Sequence, residues 1–219
     1  MNVDVGSLHW VAFLGRGKLA TVTLCKEGQS SRSLHAVKTL PRKQVTSKDQ
    51  VARVFRERDA LRDLSGHPGI ICLRSTGKDD TNVYFVLEPA LGGSLHRHIR
   101  GGRGGHLECQ TARYYTSEMI AALDHIHSLR YMHRDLKANN VVLCSRGHTK
   151  LVDFGCAKRL PPTDEGGGAR PRSFTFCGTP HCMAPEMMAK VGHAAAVDWW
   201  ALGVLIFEML TGQPPFGYE

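Results

Sequence analysis

The stretch MHRDLKANNVVL (132–143) sets an acid, Asp135, between Arg134 and Lys137, and follows it with Asn139 and Asn140 before an apolar run. Asn-Asn is good turn material, so one reading is a solvated turn. The other is a site that holds a hydroxyl, a phosphate and a metal ion together. The sequence on either side bears on the choice.

Upstream, residues 10–40 alternate in a strand-like way as WVAFLG, ATVTLCK and SLHAVKTL, with turn residues at 28–31 between the second and third. Residues 48–64 predict a helix with Val51, Val54, Phe55, Ala60, Leu61 and Leu64 on one face, ended by Gly66-His67-Pro68-Gly69. IICLRS (70–75) and NVYFVLE (82–88) read as two further strands. The first 90 residues are thus mostly sheet with one helix. Downstream, RGGRGG (100–105) reads as a loop, 110–130 as a long amphipathic helix, and NVVLC (140–144) and TKLVDF (149–154) as short strands. A Pro/Gly-rich loop is expected at 161–173. DWWALGVLIFEML (198–210) is apolar nearly all round, as a buried core helix is, and too short to span a bilayer.

The chain has 219 residues, 42% of them hydrophobic and 22% charged, ordinary for a globular protein that buries a core. Its net charge of +8 suits anionic partners, but the Lys and Arg are scattered and no aromatic-rich basic motif accompanies them. A solvated basic surface is therefore favoured over nucleic-acid binding. The seven Cys show no Cys-x-x-Cys pair, which fits reduced thiols and a location in the cytoplasm, the nucleus included. Cys177 and Cys182 flank His181, but no second pair completes a zinc site. No basic-then-apolar targeting segment opens the sequence, and no membrane association is expected.

The remaining motifs fall in a fixed order. LGRGKLATV (14–22) is a Gly-x-Gly turn between two strands, able to bring backbone N–H groups to phosphate oxygens, though most such hairpins are only turns. AVK (36–38) puts Lys38 on the next strand, where a lone Lys is commonly a solvated edge charge; here Glu57 on the helix is a candidate partner. HRDLKANN is followed by KLVDFG (150–155), with Asp153 eighteen residues after Asp135, and then by CGTPHCMAPE (177–186). Signals that are weak singly become strong in this order.

Together Gly-x-Gly-x-x-x-x-Val, Ala-Val-Lys, His-Arg-Asp-Leu-Lys-x-x-Asn, Asp-Phe-Gly and Ala-Pro-Glu resemble the eukaryotic protein kinases. KLVDFGCAK, FTFCGTP and VDWWALGVLIFEMLTGQPPF are similar to the AGC serine/threonine group, nearest its cyclic-nucleotide-dependent branches. The resemblance runs from about residue 8 to residue 219. It implies an α+β, two-lobed fold: a five-stranded antiparallel sheet with one helix over 8–87, a hinge at 88–91, and a mainly helical lobe over 92–219.

The same resemblance implies the chemistry. ATP with Mg²⁺ would sit between the lobes, and protein substrates would supply a Ser or Thr hydroxyl. Phosphoryl transfer asks mainly for alignment and charge neutralisation. Asp135 would accept the hydroxyl proton, and Lys137 would stabilise charge on the transferring phosphate. Asn140 and Asp153 would hold magnesium. Lys38, fixed by Glu57, would grip the α/β phosphates under Gly15 and Gly17. Leu14, Val22 and Ala36 complete the nucleotide set, with the Glu88 carbonyl and Ala90 N–H on the adenine edge and Leu87 behind it. Thr175 stands at the activation-loop phosphosite for an upstream kinase, with Arg53, Arg134 and Lys158 to clamp a phosphate; otherwise it is an exposed Thr.

Several positions depart from the family pattern. Ala20 replaces the third loop glycine, and its methyl is expected to slow turnover or weaken ATP binding. This favours a second class, a pseudokinase or binding scaffold, whereas the presence of Lys38, Glu57, Asp135, Asn140 and Asp153 together favours the enzyme. The sequence stops soon after helix 198–210, so a fragment of a longer kinase is expected. An incompletely covered apolar helix and a Glu186 lacking its usual Arg partner would follow. Ser94, Ala138-Asn139 and His181 replace acids that bind substrate arginines or ribose in basophilic relatives, leaving only Glu208. The expected outcome on a peptide array is no strict Arg-Arg-x-Ser/Thr preference; a strict one would overturn the reading.

Overall fold

The computed structural model describes residues 5–17, 19–28, 33–162 and 171–217. Parts of two expected loops, 29–31 and 163–170, lie outside the described residues. Three strands, β1 (Leu8–Arg16), β2 (Thr21–Glu27) and β3 (Leu34–Pro41), lead into helix α1 (Lys48–Asp63), then β4 (Leu73–Lys78) and β5 (Asn82–Leu87). The five strands form one antiparallel sheet in the order β1-β2-β3-β5-β4. Beyond it come β6 (Gly93–Ser94), α2 (Leu95–Gly101), α3 (Cys109–Ser128), β7 (Tyr131–Met132), β8 (Val141–Leu143), β9 (Thr149–Leu151), β10 (Lys158–Arg159), α4 (Pro185–Met188) and α5 (Ala196–Thr211). The α+β fold, a small antiparallel sheet lobe and a mainly helical lobe, is the one expected.

Helix α1 starts where its chemistry says it should. The Ser47 hydroxyl accepts from Gln50 N at 3.2 Å, and Gln50 Oε1 accepts from Ser47 N at 3.0 Å. This reciprocal cap satisfies donors that the first turn leaves open. The buried face of the helix differs from the expected one. Glu57, Ala60, Leu61 and Leu64 are buried, whereas Val51 and Phe55 are exposed. Val51, Val54, Phe55 and Arg58 instead line a cavity of about 790 Å³ shared with β4 and β5. The reason is the 3.6-residue period: positions 57, 60, 61 and 64 share one stripe, and the core claims the stripe that carries Glu57.

Three boundaries also moved. The strand expected from residue 70 begins at Leu73, because Ile70 and Ile71 are buried and pair with Leu151 rather than with the sheet. The strand at 149–154 stops at Leu151, because Asp153 takes φ +61° and a 3₁₀ turn, Phe154–Cys156, follows. The first residues of RGGRGG still belong to α2.

The larger of two buried clusters among the described residues joins the lobes. Phe85 and Leu61 above, and Met119, Leu123, Ile126, Leu151 and Phe154 below, belong to one continuous buried cluster. The end of α1 is tied down as well, since the Tyr131 hydroxyl donates to Asp63 Oδ2 at 2.8 Å. Helix α5 buries Val197, Ala201, Leu202, Leu205 and Met209. It ends at Gly212 (φ +81°), where any Cβ would collide with the Gly105 carbonyl.

The opposite face of α5 is open: Trp199, Trp200, Phe207 and Leu210 are each 39–46% exposed. So the helix that reads as buried all round is covered on one side only. A contiguous apolar face of this kind drives self-association. The 219-residue chain is expected to sediment as concentration-dependent oligomers. The double variant Phe207→Lys, Leu210→Lys should approach the monomer mass with its melting temperature within about 2 °C. A monomeric, cooperatively melting wild type would contradict this.

Candidate active site

The sheet lines up one wall of the site by register. Gly15 is paired with Val22, Val22 with Lys38, and Lys38 with Phe85, so one row crosses four strands. The neighbouring row runs Leu24, Ala36, Leu87, Leu73. Directly opposed residues share a face of the sheet, which places Val22, Ala36 and Lys38 around one concavity. Leu14 and Gly15 lie over it on β1, and Gly17 N donates to Ala20 O at 2.8 Å to close the turn. A Cβ on Gly15 would meet nothing within 4 Å. Glu88 leaves β5 with its side chain anchored, Oε1 accepting from Cys72 N and from Lys150 Nζ at 2.8 Å each. The chain then passes Ala90 into the helical lobe.

Lys38 joins the two walls. Its Nζ lies 2.5 Å from Glu57 Oε1 and 3.3 Å from Asp153 Oδ1. Burial works against the ammonium, but the two carboxylates outweigh it and hold the Lys38 pKa above its ordinary value. Burial pushes the Glu57 carboxyl up, with Lys38 pulling the other way. For Asp153 burial raises the pKa, but Lys38 and Arg53 more than offset it, so this carboxyl titrates below the usual range and stays ionised. The short contact and the second carboxylate both favour a charged Lys38.

The second wall is the loop opened by His133. Asp135 is buried and fully engaged: Oδ1 accepts from Thr179 Oγ1 at 2.7 Å, and Oδ2 accepts from Lys137 Nζ at 2.9 Å. Lys137 also donates to Thr179 Oγ1 at 2.7 Å, closing a triangle. Asn140 Nδ2 donates to the Asp135 carbonyl at 2.8 Å and to Oδ2 at 3.0 Å. That orientation turns the Asn140 amide oxygen away from Asp135. Val152 N donates to the Asn140 carbonyl at 2.9 Å, which sets Asp153 beside this loop.

A buried carboxylate shapes the loop from beneath. Asp198, at the start of α5, accepts from His133 N at 2.9 Å, Arg134 N at 2.8 Å and His127 Nε2 at 2.8 Å. Burial alone would raise its pKa; the bond from His127 and the two backbone N–H groups hold it below the usual carboxylate value. Arg134 sits at φ +65° and Asp153 at φ +61°, left-handed conformations that cost a side-chain-bearing residue about 1–3 kcal/mol each. Both strained residues border the same site.

Arg134 reaches the stretch around Thr175. Its Nε donates to Cys156 O at 2.8 Å, and its Nη1 to Ser173 Oγ at 2.9 Å and Thr175 O at 3.4 Å. Lys158 Nζ lies 3.5 Å from Thr175 Oγ1. Arg53 does not join them: its Nη2 contacts Cys156 Sγ at 3.4 Å, and its charge acts on Asp153. The helix explains why. Arg53 is one turn before Glu57 on the same stripe, so it faces the Asp-Phe-Gly turn. Arg56 stands about 100° around α1, and after burial its charge is among those depressing the pKa of Arg134 and Lys158. The buried Nε of Arg56 has no hydrogen-bond partner among the described residues.

Of the expected residues, Lys38, Glu57 and Asp153 meet, Asp135, Lys137 and Asn140 meet, and Arg53 contacts Cys156. Reasoning from sequence missed Thr179, Asp198, His127 and Arg56. Thr179 and Asp198 lie inside CGTP and VDWW, quoted stretches whose spacing says nothing of a contact across 44 or 65 residues. Glu208 is buried on α5, and burial pushes its carboxyl up.

With this geometry in view, comparison with known proteins is decisive for the family. The chain matches the protein kinase domain over residues 8–219. It is 41% identical over 203 residues to the cAMP-dependent protein kinase catalytic subunit 3 of Drosophila melanogaster, covering 93% of this chain and 33% of that protein. It is 38% identical over 215 residues to a cAMP-dependent protein kinase, catalytic subunit-like, of Caenorhabditis briggsae, covering 98% and 52%. It is 39% identical over 206 residues to the human cAMP-dependent protein kinase catalytic subunit PRKX, covering 94% and 54%. The chain belongs to the protein kinase family, and its relatives lie in the AGC serine/threonine group. It spans from a third to about half the length of these three relatives.

Replacing Asp198 leaves buried donors unpaired. Asp198→Asn is expected to lower stability at pH 7 by about 3 kcal/mol, or about 6–12 °C in melting temperature. Because the folded-state pKa is depressed, the carboxylate's contribution is full above its unfolded value of about 3.9 and is lost as pH falls through the folded value. The gap between wild type and variant, followed by calorimetry, should therefore close below about pH 4. A pH-independent gap would refute the assignment.

Proposed function

We propose that this chain is the catalytic domain of an ATP-dependent serine/threonine protein kinase, switched on by phosphorylation of Thr175. The observation that carries the reading is the Lys38 ammonium bridging Glu57 of the upper wall and Asp153 of the lower one. A buried lysine between two carboxylates is costly as mere packing. As a phosphate grip held ready by Glu57 it has a purpose.

The residues fit magnesium and a triphosphate. Asp153 is an ionised carboxylate at the mouth of the cleft, and the Asn140 amide turns its oxygen away from Asp135. Among the described residues no group of three or more His, Cys, Asp or Glu could hold a metal unaided. Two protein oxygens supplemented by phosphate and water suit Mg²⁺, which keeps several such ligands. When bound, the metal and nucleotide supply the phosphoryl group and neutralise charge on it. Leu14, Val22 and Ala36 would hold the adenine, with the Glu88 carbonyl and Ala90 N–H to read its edge. Gly15 and Gly17 would bring backbone N–H groups to the phosphates.

Asp135 accepts the proton from a serine or threonine hydroxyl and aims its oxygen. Thr179 and Lys137 hold that carboxylate from both sides, so its direction is set before substrate arrives. Lys137 then favours charge developing on the transferring group. Phosphate on Thr175 would meet Arg134 and Lys158, with Arg56 in place of Arg53 as the cation from α1. Burial and the charge of Arg56 both lower the pKa of Arg134 and of Lys158, so a dianion has a strong claim on the cluster. Pairing there would fix α1, and with it Glu57.

The test is phosphate transfer to a mixed Ser/Thr peptide library. Wild type should require magnesium, Asp153→Ala should lose at least about 100-fold, and Thr175→Ala should stay at the basal rate after treatment with an activating kinase. Wild type that binds ATP but transfers nothing would support the scaffold reading instead.

A further inference from the structure

The turn that follows α1 is held to the helical lobe by two imidazole rings. His67 stands in that turn and His125 on α3, with ring centroids 4.9 Å apart and planes at 23°, a stacked pair. His67 closes the turn twice: its carbonyl accepts from Ile70 N at 3.1 Å, and its Nδ1 accepts from Gly69 N at 3.1 Å. There is no slack beneath. A Cβ on Gly69 would lie 3.0 Å from the Ala122 Cβ on α3 and 3.2 Å from His67 Nδ1. The Nε2 of His125 is buried and has no hydrogen-bond partner among the described residues. The same turn carries main-chain joints between the lobes. Leu151 N donates to the Gly69 carbonyl at 2.8 Å, and Ile71 N donates to the Leu151 carbonyl at 3.1 Å. Lys150 Nζ donates to the Pro68 carbonyl at 2.8 Å and pairs with Glu88 at 2.8 Å. Leu61 and Leu64 of α1 are buried in one cluster with Ile70 and Ile71. Whatever loosens the turn therefore loosens the seat of Glu57 as well.

We propose that the stacked His67–His125 pair is an acid-sensitive catch, which holds the turn after α1 on α3 while both rings are neutral and releases it when they gain protons. The tautomer follows from the geometry. A backbone N–H can donate only to a ring nitrogen that carries no proton, so His67 in this turn is neutral with its hydrogen on Nε2. A proton added to Nδ1 sets two N–H groups against each other and breaks the bond from Gly69. A charge on either ring also faces the other ring.

The surroundings push the same way. Burial, then His125 from α3, then Lys150 from β9 lower the His67 pKa. Glu88, the carboxylate beside Lys150, is already engaged by that lysine and by Cys72 N. Because its pKa is depressed in the folded chain, His67 takes a proton more readily once the turn opens. The closed turn is thus fully favoured above the ordinary histidine value of about 6.5, and weakens as pH falls through it toward the folded value. Nothing in this response depends on phosphate transfer or on Thr175.

The test is hydrogen exchange of the full chain, read by mass spectrometry on peptides spanning residues 64–72 and corrected for the intrinsic effect of pH. Opening of these peptides should rise about five- to tenfold from about pH 7.5 to about pH 5.5 for each linked ring. The chain has 12 histidines, so variants assign the effect. His67→Asn keeps an acceptor for Gly69 N without a titrating ring, and His125→Phe keeps a ring to stack upon without a charge. With both substitutions the chain should open equally at the two pH values. A double variant that retains the wild-type response would overturn the proposal, and so would wild-type opening that does not change with pH. The ¹⁵N shifts of the wild-type His67 ring decide the matter even where a variant fails to fold: Nδ1 should be unprotonated at about pH 7.5, and a protonated Nδ1 there would rule out the catch.

Discussion

One buried carboxylate holds the chain reversal on which the site depends. Asp198 gathers the backbone N–H groups of His133 and Arg134 and the ring of His127, and so couples α5, α3 and the loop in one place. Without those acceptors the left-handed Arg134 would have no reason to persist, because its backbone geometry costs energy wherever it is not compelled. With them, the loop turns so that Asp135 faces the cleft while the Arg134 guanidinium faces the other way, to Cys156 and Ser173. The two directions are taken by adjacent residues of one strained turn.

The second constraint is the ion pair across the cleft. Lys38 stands on a strand, Glu57 on a helix and Asp153 at the end of a short hairpin, and each element is placed by its own packing. Glu57 shares its helical stripe with Ala60, Leu61 and Leu64, so the hydrophobic core that seats α1 also seats the carboxylate. Fold and chemistry are therefore not separable here: burial of three apolar side chains fixes the angle at which a charged one meets its partner.

How much of this the sequence disclosed follows from the range of each interaction. The sheet, α1, α3 and α5 were legible because period and turn chemistry are local. Lys38, Glu57, Asp135, Asn140 and Asp153 were legible because their order along the chain is distinctive. Thr179 and Asp198 were not, since a hydroxyl or carboxylate buried against a loop many residues away leaves no local mark. The contact of Arg53 with Cys156 was not legible for a related reason: only the helix's actual rotation decides what a residue near Glu57 on α1 meets. Ile70 and Ile71 look like strand residues, yet tertiary packing against Leu151 claims them first.

The edge-on contact of Trp199 with the His127 ring, centroids 5.2 Å apart and planes at 85°, gives the chain a built-in optical gauge. His127 is the side chain that donates to Asp198, so an indole resting on it senses whether that anchor is made. Trp10 stands on β1 and Trp200 is stacked on Phe216, so of the three indoles Trp199 is the one in edge-on contact with the His127 ring beneath the turn. Intrinsic fluorescence can thus follow the state of that turn without any label being attached.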